Sequence, residues 1–428
     1  MTEGRRWLCS AGMGKKPCQR AIKAVTAFAR RELWWQSLVC CSATGVLNLP
    51  VQVRAQAGGA SLALQGATVH PAVGPSIHDA TILIQNGKIA AVGTAVSIPV
   101  GTRVLDVRGK HVIPGMIDNH SHIGRMQHAP PPGPLFRMVD VLDEKDPKWR
   151  IALSGGVTTV VTGPAGGSGI GGEAVVVKTF GPELRKRILK ENGGVKVAVG
   201  RRDPRPGMTV AAMLRGMFLK AQDYNSRLKQ WEARGRTGSP PPRDASLEPF
   251  ARLLRHEDYV RVHVNAAHDI MTILELKDEF GFELALHHAT EAYKVLDAIA
   301  KRNVDVVGLP LFLRIPVSEA AMESAAAVTR AGIRFAFHQD DPVSNTKWLR
   351  FNGALGMRYG MSEQDALKGL TINAAQIARV ADRVGSIEPG KDADLVVLNG
   401  PWYELLTRVD LVLVEGVVAY DRLREEKE

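Results

Sequence analysis

Two histidines, His120 and His122, lie near the end of the stretch His111–Gly124, which reads HVIPGMIDNHSHIG. Side chains of a β-strand alternate between its two faces, so residues two positions apart point to the same side. Two imidazoles side by side at the end of an apolar strand pack poorly, but they are good metal ligands. The spacing therefore predicts a metal-binding pair.

Other polar side chains interrupt or end apolar runs further along the chain, namely Lys178, His263, His287, His288, Asp340 and Asp341. Imidazoles and a carboxylate around an open position are typical of a catalytic zinc-type site. Such a metal lowers the pKa of a bound water to about 7 and polarises a substrate carbonyl. A nearby carboxylate can take the proton of that water and pass it to the leaving nitrogen. Asp340 is the candidate for this role, and Asp341 is the alternative.

The elements that must position these residues alternate between apolar strands and helical segments. Eight strands are predicted, at Val112–Ile117, Thr158–Thr162, Ala174–Thr179, Val195–Gly200, Tyr259–Asn265, Glu283–His288, Asp305–Pro310 and Arg334–Asp340. Continuous apolar strands with helical crossovers predict a parallel sheet, and eight of them predict an α/β fold of the (β/α)8 TIM barrel type. Active sites of such barrels gather at the carboxyl ends of the strands, where the candidate residues lie.

Two parts of this pattern are irregular. The link Gly163–Gly172 is too rich in glycine for a helix. The segment Met208–Arg255 reads as a long helical insertion, interrupted by the stretch RGRTGSPPPRD, and is expected over the barrel mouth.

The two ends of the chain have the texture of short alternating strands, with a hairpin signal at Asn86-Gly87. Chain ends often lie close together, so both pieces are expected to form one small β-sandwich. The predicted organisation is a leader (1–57), a first sandwich part (58–112), a metal-dependent barrel (113–381) and a second sandwich part (382–428).

Composition excludes several classes of protein. The formal net charge is +11, but residues 1–57 carry +7 of it and leave +4 for the rest, which gives little support to nucleic-acid binding. No apolar stretch approaches the roughly 20 residues of a membrane-spanning helix. All four cysteines also lie within residues 1–57, so a metal site in the remainder must use His, Asp, Glu or Lys.

Residues 1–57 resemble an export signal. Arginines precede an apolar region that ends in the small-x-small sequence Ala55-Gln56-Ala57. Polar residues interrupt the apolar region, so a disordered cytoplasmic tail is the alternative. The expected location is periplasmic or secreted, with a mature chain that starts near Gly58, or cytoplasmic if the leader is not a signal.

Two motifs, VIPGMIDNHSH and GSIEPGKDADLVVL, together resemble the amidohydrolase superfamily, and most closely its imidazolonepropionase-related members. The resemblance covers about residues 60–425 and extends to the stretches GGVTTV, GGEAVVVKT, HATEAY and LTINAAQIARVADRVGSIEPG. It implies a metal-dependent hydrolase of C–N bonds other than peptide bonds, with a divalent metal, Zn²⁺ by the donor types. The metal ligands implied are His120, His122, His263, His288 and Asp340. In some relatives a carboxylated lysine bridges two metals, and Lys178 is the candidate for that role, with one or two ions left open.

Several points depart from the family or stay open. The stretch GRRDP carries Arg201 and Arg202 where related proteins often have an acidic segment, which hints at an anionic substrate group. Strand alternation cannot separate His287 from His288, because both faces of a barrel strand are buried; the HATEAY pattern favours His288. His338 shares a face with Asp340, so an outer-shell role is expected for it.

The predicted reaction is hydrolysis of an amide or cyclic amide of a small molecule by metal-activated hydroxide. A metallo-dipeptidase is the alternative within the same chemistry. A catalytically idle barrel that acts as a binding protein is the alternative of another class, and it predicts the loss of ligand residues. A homo-oligomer is expected, without nucleic acid as a partner.

Overall fold

A computed structural model describes residues 61–126, 133–164, 169–200, 207–308 and 319–426. The predicted leader, His128, Arg201 and Arg202 lie outside these ranges. Among the described residues, no helix is both long and apolar enough to cross a bilayer.

The described residues contain eighteen strands. In chain order they are β1 (Leu62–Val69), β2 (Ile77–Gln85), β3 (Lys88–Gly93), β4 (Arg103–Asp106), β5 (His111–Pro114), β6 (Met116–Ser121), β7 (Val157–Thr162), β8 (Gly169–Glu173), β9 (Val175–Lys178), β10 (Ile188–Lys190), β11 (Val195–Ala198), β12 (Val260–Val264), β13 (Leu284–His288), β14 (Asp305–Gly308), β15 (Phe335–Phe337), β16 (Leu395–Leu398), β17 (Val409–Val414) and β18 (Val417–Asp421).

Twelve α-helices occur in the same ranges. They are α1 (Lys148–Ser154), α2 (Leu184–Arg187), α3 (Gly207–Ala233), α4 (Glu248–Leu254), α5 (Ala267–Phe280), α6 (Leu296–Lys301), α7 (Glu319–Met322), α8 (Ser324–Arg330), α9 (Leu349–Arg358), α10 (Glu363–Leu370), α11 (Ile372–Ile377) and α12 (Arg422–Glu425). Short 3-10 turns lie at Met138–Val141, Ala292–Lys294 and Thr346–Trp348.

The two ends of the chain share one eight-stranded sheet. Its order is β18-β17-β16-β5-β1-β2-β3, and β4 also pairs with β1. The contact between the ends is the antiparallel pair β5 and β16, with Val112 opposite Val397. Leu64, Ile82 and Leu395 are buried in the small core of this sheet. The ends therefore meet as predicted, while their arrangement in two layers stays a prediction.

The middle of the chain forms two further sheets around a separate and larger core. The six-stranded sheet has the order β15-β14-β13-β12-β11-β8, and β11 to β15 are parallel neighbours. Helices α5 and α6 connect successive strands, and α5 buries its apolar stripe of Ile270, Ile273 and Leu274. These β-α-β units agree with the predicted crossovers. The ladders between described strands form two open sheets, so a closed eight-stranded ring also stays a prediction.

The first predicted barrel strand is divided between two sheets. β5 pairs with the sheet of the chain ends, whereas β6 pairs in parallel with β7. The change occurs at Gly115, where a Cβ atom would lie 2.1 Å from Thr158 Oγ1. Only glycine permits this close approach of the backbone to Thr158. The prediction of a single strand over Val112–Ile117 is wrong, because the residues on either side of Gly115 pair with different sheets.

The third predicted strand runs in the opposite direction to the prediction. β9 is antiparallel to β7, with Thr159 opposite Lys178 and Thr162 opposite Val175. The glycine-rich link before it contains β8, which pairs antiparallel with β11. The described part of this link contains a strand and no crossover helix, and β9 enters the sheet from the other end, so that its carboxyl end lies beside the start of β7.

A buried carboxylate joins the first and last of the barrel-type strands where no ladder does. Asp118 Oδ1 accepts hydrogen bonds from the backbone N–H groups of His120 and Gln339, both at 3.1 Å. Its Oδ2 accepts one from Thr346 Oγ1 at 3.0 Å. The N–H of Asp340 also donates to the carbonyl of His120 at 2.9 Å. These bonds hold the ends of β6 and β15 side by side.

Candidate active site

His120 is the centre of a group of six histidines. Its ring centroid lies 4.8–6.4 Å from those of the other members, and the set, called the histidine cluster below, is His120, His122, His263, His287, His288 and His338. The residues come from the carboxyl ends of β6, β12 and β13 and from the segment after β15. The parallel direction of these strands brings the residues to one edge, as the sequence predicted.

His122 is oriented by a hydrogen bond on the far side of its ring. Its Nδ1 lies 2.8 Å from the carbonyl oxygen of Gly163. A carbonyl can only accept, so Nδ1 carries a hydrogen, and Nε2 is the nitrogen that faces the site. That Nε2 lies 3.2 Å from Asp340 Oδ1. A ligand histidine held in this way by a backbone carbonyl is common in metal sites.

Asp340 faces both members of the first histidine pair. Its Oδ1 lies 3.6 Å from His120 Nε2 as well as 3.2 Å from His122 Nε2. Burial alone raises the pKa of Asp340, but the hydrogen bond and charge of His122 outweigh it and leave the pKa below its usual value. The backbone of Asp340 has φ 59°, a left-handed conformation that turns its side chain away from the path of the strand.

Asp341 points elsewhere. Its Oδ1 lies 2.7 Å from Lys148 Nζ, and its Oδ2 accepts a hydrogen bond from the N–H of Thr346 at 3.3 Å. Of the two adjacent aspartates, the structure thus brings Asp340 to the histidines.

His263 and His288 approach His120 from the neighbouring strands. The ring centroids of His263 and His288 are 4.0 Å apart, and those of His288 and His120 are 4.8 Å apart. Burial is the main reason that the pKa of His263 falls to about 3, with the positive charge of Lys196 as a second cause. These imidazoles therefore stay neutral over the physiological pH range, as metal ligands must.

Two overlapping groups of ligand atoms result. One contains His120, His122 and Asp340, the other contains His120, His263 and His288, and the ligand atoms of each lie within 4.8 Å of one another. Both ring nitrogens of the buried His338 also have no hydrogen-bond partner among the described residues. Imidazole nitrogens beside one carboxylate are the donor types that fit a divalent metal of the zinc type.

The sequence reasoning missed Lys196, which lies on β11. Its Nζ is 2.8 Å from His120 Nε2, and the side chain is almost fully buried. Burial, followed by the positive charge of Arg261, lowers the pKa of Lys196 to about 7. The available signal was a single lysine within the apolar strand VKVAV.

Lys178 corrects a prediction, because the structure does not bring it to the histidines. Its Nζ lies 2.8 Å from Asp392, 3.1 Å from Asp394 and 3.1 Å from Glu415. This set is called the Lys178 ion cluster below. Since β9 runs antiparallel to β7, Lys178 lies level with Thr159, near the start of β7, whereas Ser121 of β6 lies level with Thr162, at its end. Lys178 therefore belongs to a structural ion cluster and is not a bridge between metals.

His268 does not join the site either. Its side chain is 81% exposed and its Nε2 lies 3.3 Å from the carboxylate of Asp269.

Comparison with known proteins agrees with this geometry. The model of the Amidohydrolase family matches residues 256–419. A solved amidohydrolase from Thermotoga maritima MSB8 is 32% identical, covers 84% of this chain and 100% of its own, and superposes with a TM-score of 0.77.

Two curated relatives extend the comparison. Amidohydrolase tasK of Hapsidospora irregularis is 25% identical over 79% of this chain and 40% of its own length. An imidazolonepropionase of Geobacillus sp. (strain WCH70) is 25% identical over 76% of this chain and 85% of its own. The chain spans about half the length of the first curated relatives it matches.

Proposed function

Because this chain belongs to the amidohydrolase family, we propose that it hydrolyses a C–N bond of a small molecule with the help of divalent metal. The observation that carries the proposal is the pair of ligand groups that share His120, with Asp340 facing both histidines of the first group. All five ligand positions expected from the sequence are filled and lie together. An idle binding protein does not need this arrangement.

The donor types favour Zn²⁺, which would be held by residues of the two groups, with His120 as a ligand in either the group of His122 and Asp340 or the group of His263 and His288. When bound, the metal supplies Lewis acidity for the attacking water and for the substrate carbonyl.

Lys196 is the proposed bridging residue in place of Lys178. With a pKa of about 7, its amine is neutral for part of the time at neutral pH. A neutral amine can add to carbon dioxide and lose one proton to give a carbamate, which has two oxygen ligands. Its place 2.8 Å from His120, which belongs to both ligand groups, supports this role, and a carbamate there would help to complete the ligands of a second ion, since Nε2 of His120 can bind only one.

Asp340 is the proposed proton carrier. Its lowered pKa keeps the carboxylate ionised and able to accept the proton of the attacking water. The same carboxylic acid then donates that proton to the nitrogen that leaves. This role is consistent with an amide or cyclic amide substrate, because an amide nitrogen is a poor leaving group until it is protonated.

The test is Asp340→Asn, which keeps the size of the side chain but removes the proton acceptor. Turnover should fall by about 10²–10⁴-fold, the usual contribution of a general acid–base. The assay uses a panel of amides, cyclic amides and dipeptides on which the wild-type chain has first been screened. Preference for dipeptides would favour the metallo-dipeptidase alternative.

Two controls accompany the assay. Elemental mass spectrometry gives the metal content of Asp340→Asn and of the double variant His120→Ala/His122→Ala, so that loss of metal is separated from loss of proton transfer. Thermal unfolding checks the fold. Near-wild-type rates for Asp340→Asn would remove Asp340 from the mechanism, and no metal in the wild-type chain after reconstitution would overturn the proposed function.

A further inference from the structure

His287 forms an unusual hydrogen bond with the central ligand histidine. Its Nδ1 lies 3.0 Å from Nδ1 of His120, and both side chains are buried. His287 is not in either group of metal-ligand atoms, although its neighbour His288 is. It is therefore a buried imidazole beside the site that the ligand set does not use.

The direction of this hydrogen bond follows from the other side of the His120 ring. His120 Nε2 faces Lys196 Nζ at 2.8 Å and Asp340 Oδ1 at 3.6 Å, so Nε2 is the atom turned toward the ligand groups. A neutral imidazole carries one hydrogen, and a nitrogen that binds metal cannot carry it. The hydrogen of His120 must then be on Nδ1, which makes Nδ1 the donor and His287 Nδ1 the acceptor.

In His122, a backbone carbonyl occupies the position that His287 occupies beside His120. His122 Nδ1 donates to the backbone carbonyl of Gly163, one of the usual outer partners of a metal-binding histidine. His120 has a side chain in that position instead. The backbone beside His120 is restrained separately, because the guanidinium of Arg261 donates to the carbonyl of Asn119. The ring of His120 is thus held by His287 and its backbone by Arg261 and Asp118.

We propose that His287 is a positioning residue that accepts the Nδ1 hydrogen of His120 and thereby directs the Nε2 lone pair of His120 to the metal. This inference rests on the proposed function, since it requires a metal at the ligand groups. It also divides the two adjacent histidines of β13 by role, with His288 as the ligand and His287 as its outer support. His120 belongs to both ligand groups, so His287 would affect whichever ion His120 binds.

Two substitutions in the full-length chain separate the hydrogen bond from packing. His287→Leu fills the space but cannot accept a hydrogen bond. His287→Asn can place its amide oxygen near the former Nδ1 position. The measurements are the affinity for Zn²⁺ by competition with a chromophoric chelator, and the visible absorption spectrum of the chain loaded with Co²⁺, which reports the geometry around the metal.

His287→Leu should weaken Zn²⁺ binding by about 10–100-fold, the usual cost of losing an outer partner of a metal ligand, and should change the Co²⁺ spectrum. His287→Asn should recover most of the affinity and the wild-type spectrum. Without metal, His287→Leu should also unfold at a somewhat lower temperature, because it removes the acceptor of a buried hydrogen bond, whereas His287→Asn should keep the wild-type thermal midpoint.

The outcomes that overturn the proposal are distinct. Equal Zn²⁺ affinity and an unchanged Co²⁺ spectrum in His287→Leu would overturn this inference and leave the proposed function standing. If both variants bind Zn²⁺ equally weakly and unfold at lower temperature without metal, His287 has a packing role only. A wild-type chain that binds neither Zn²⁺ nor Co²⁺ would overturn the proposed function and this inference together.

Discussion

The histidine cluster and the Lys178 ion cluster lie toward opposite ends of the parallel strands β6 and β7, and their charges are arranged differently. Around Lys178, three carboxylates lie within 3.1 Å of one ammonium, and Lys88 and Arg383 add positive charge at 3.0 and 2.7 Å from Asp392. Three positive and three negative groups balance. Around His120, the cations Lys196 and Arg261 face the carboxylate of Asp340 and that of Asp118, whose pKa burial raises to about 7.

The two lysines show the consequence of this difference. Burial alone lowers the pKa of Lys178, but Asp394 and Asp392 outweigh it and raise the pKa above its usual value. Burial lowers the pKa of Lys196 to about 7, and the charge of Arg261 adds to the effect. Both are buried lysines on strands, yet only one is in its usual ionised state. A buried charged group whose charge is balanced by its neighbours has a structural role. A buried group whose charge is not balanced has a shifted pKa and is a candidate functional residue.

The largest expected effect comes from Lys196→Met. We expect the loss of one of two zinc equivalents, because the proposed bridging ligand is removed. Turnover should fall by more than the ~10–100-fold that follows loss of a residue that only supports a metal ligand. Elemental mass spectrometry of protein reconstituted with Zn²⁺ and bicarbonate measures the count. Lys178→Met is the matched control and should keep the wild-type metal content. The same zinc count in both variants would exclude Lys196 as a bridge.

The next effect is on stability and concerns Lys178→Met. Removing Lys178 leaves the buried carboxylate of Asp394 without a cation, and such a loss costs about 3–5 kcal/mol. The free energy of unfolding from urea titration should fall by this amount for Lys178→Met. Lys196→Met should change it much less, because the ammonium of Lys196 has little opposite charge to compensate. A larger loss for Lys196→Met would reverse the comparison.

The smallest effect is a pH dependence of the metal-free chain. Burial is the main cause that holds the pKa values of His263 and His338 at about 3, against about 6.5 in the unfolded chain. Between these values the unfolded state binds more protons, so this part of the stability is complete above pH 6.5 and is lost as the pH falls toward 3. From pH 7 to 6 each histidine should cost about 0.7 kcal/mol.

Urea titrations at pH 7 and pH 6 measure this slope, and His338→Gln should reduce it. Asp392 of the Lys178 ion cluster should contribute little between pH 7 and pH 6, because its pKa lies below the usual, already acidic value. Burial alone would raise this pKa, but the charge of Lys178 lowers it. Equal slopes for the wild-type chain and His338→Gln would show that His338 does not contribute to the pH dependence.

The sequence by itself determined which residue types converge. The spacing of His120 and His122 and the strand-end positions of His263, His288 and Asp340 follow from the two-residue strand period and from parallel strand direction, and the structure brings these residues together. The two family motifs determined the class of enzyme, and the alternating end segments determined that both ends share a sheet.

Only the tertiary structure decided which lysine belongs to the site. A lysine within an apolar run gives the same pattern whichever way the strand runs, so the sequence could not show that β9 is antiparallel to β7 and takes Lys178 to the other end. It also places His288, and not His287, in a group of possible ligand atoms, which strand alternation could not predict where both faces are buried. The positions of these side chains depend on strand direction and on contacts between residues far apart in the chain, and local patterns do not encode either.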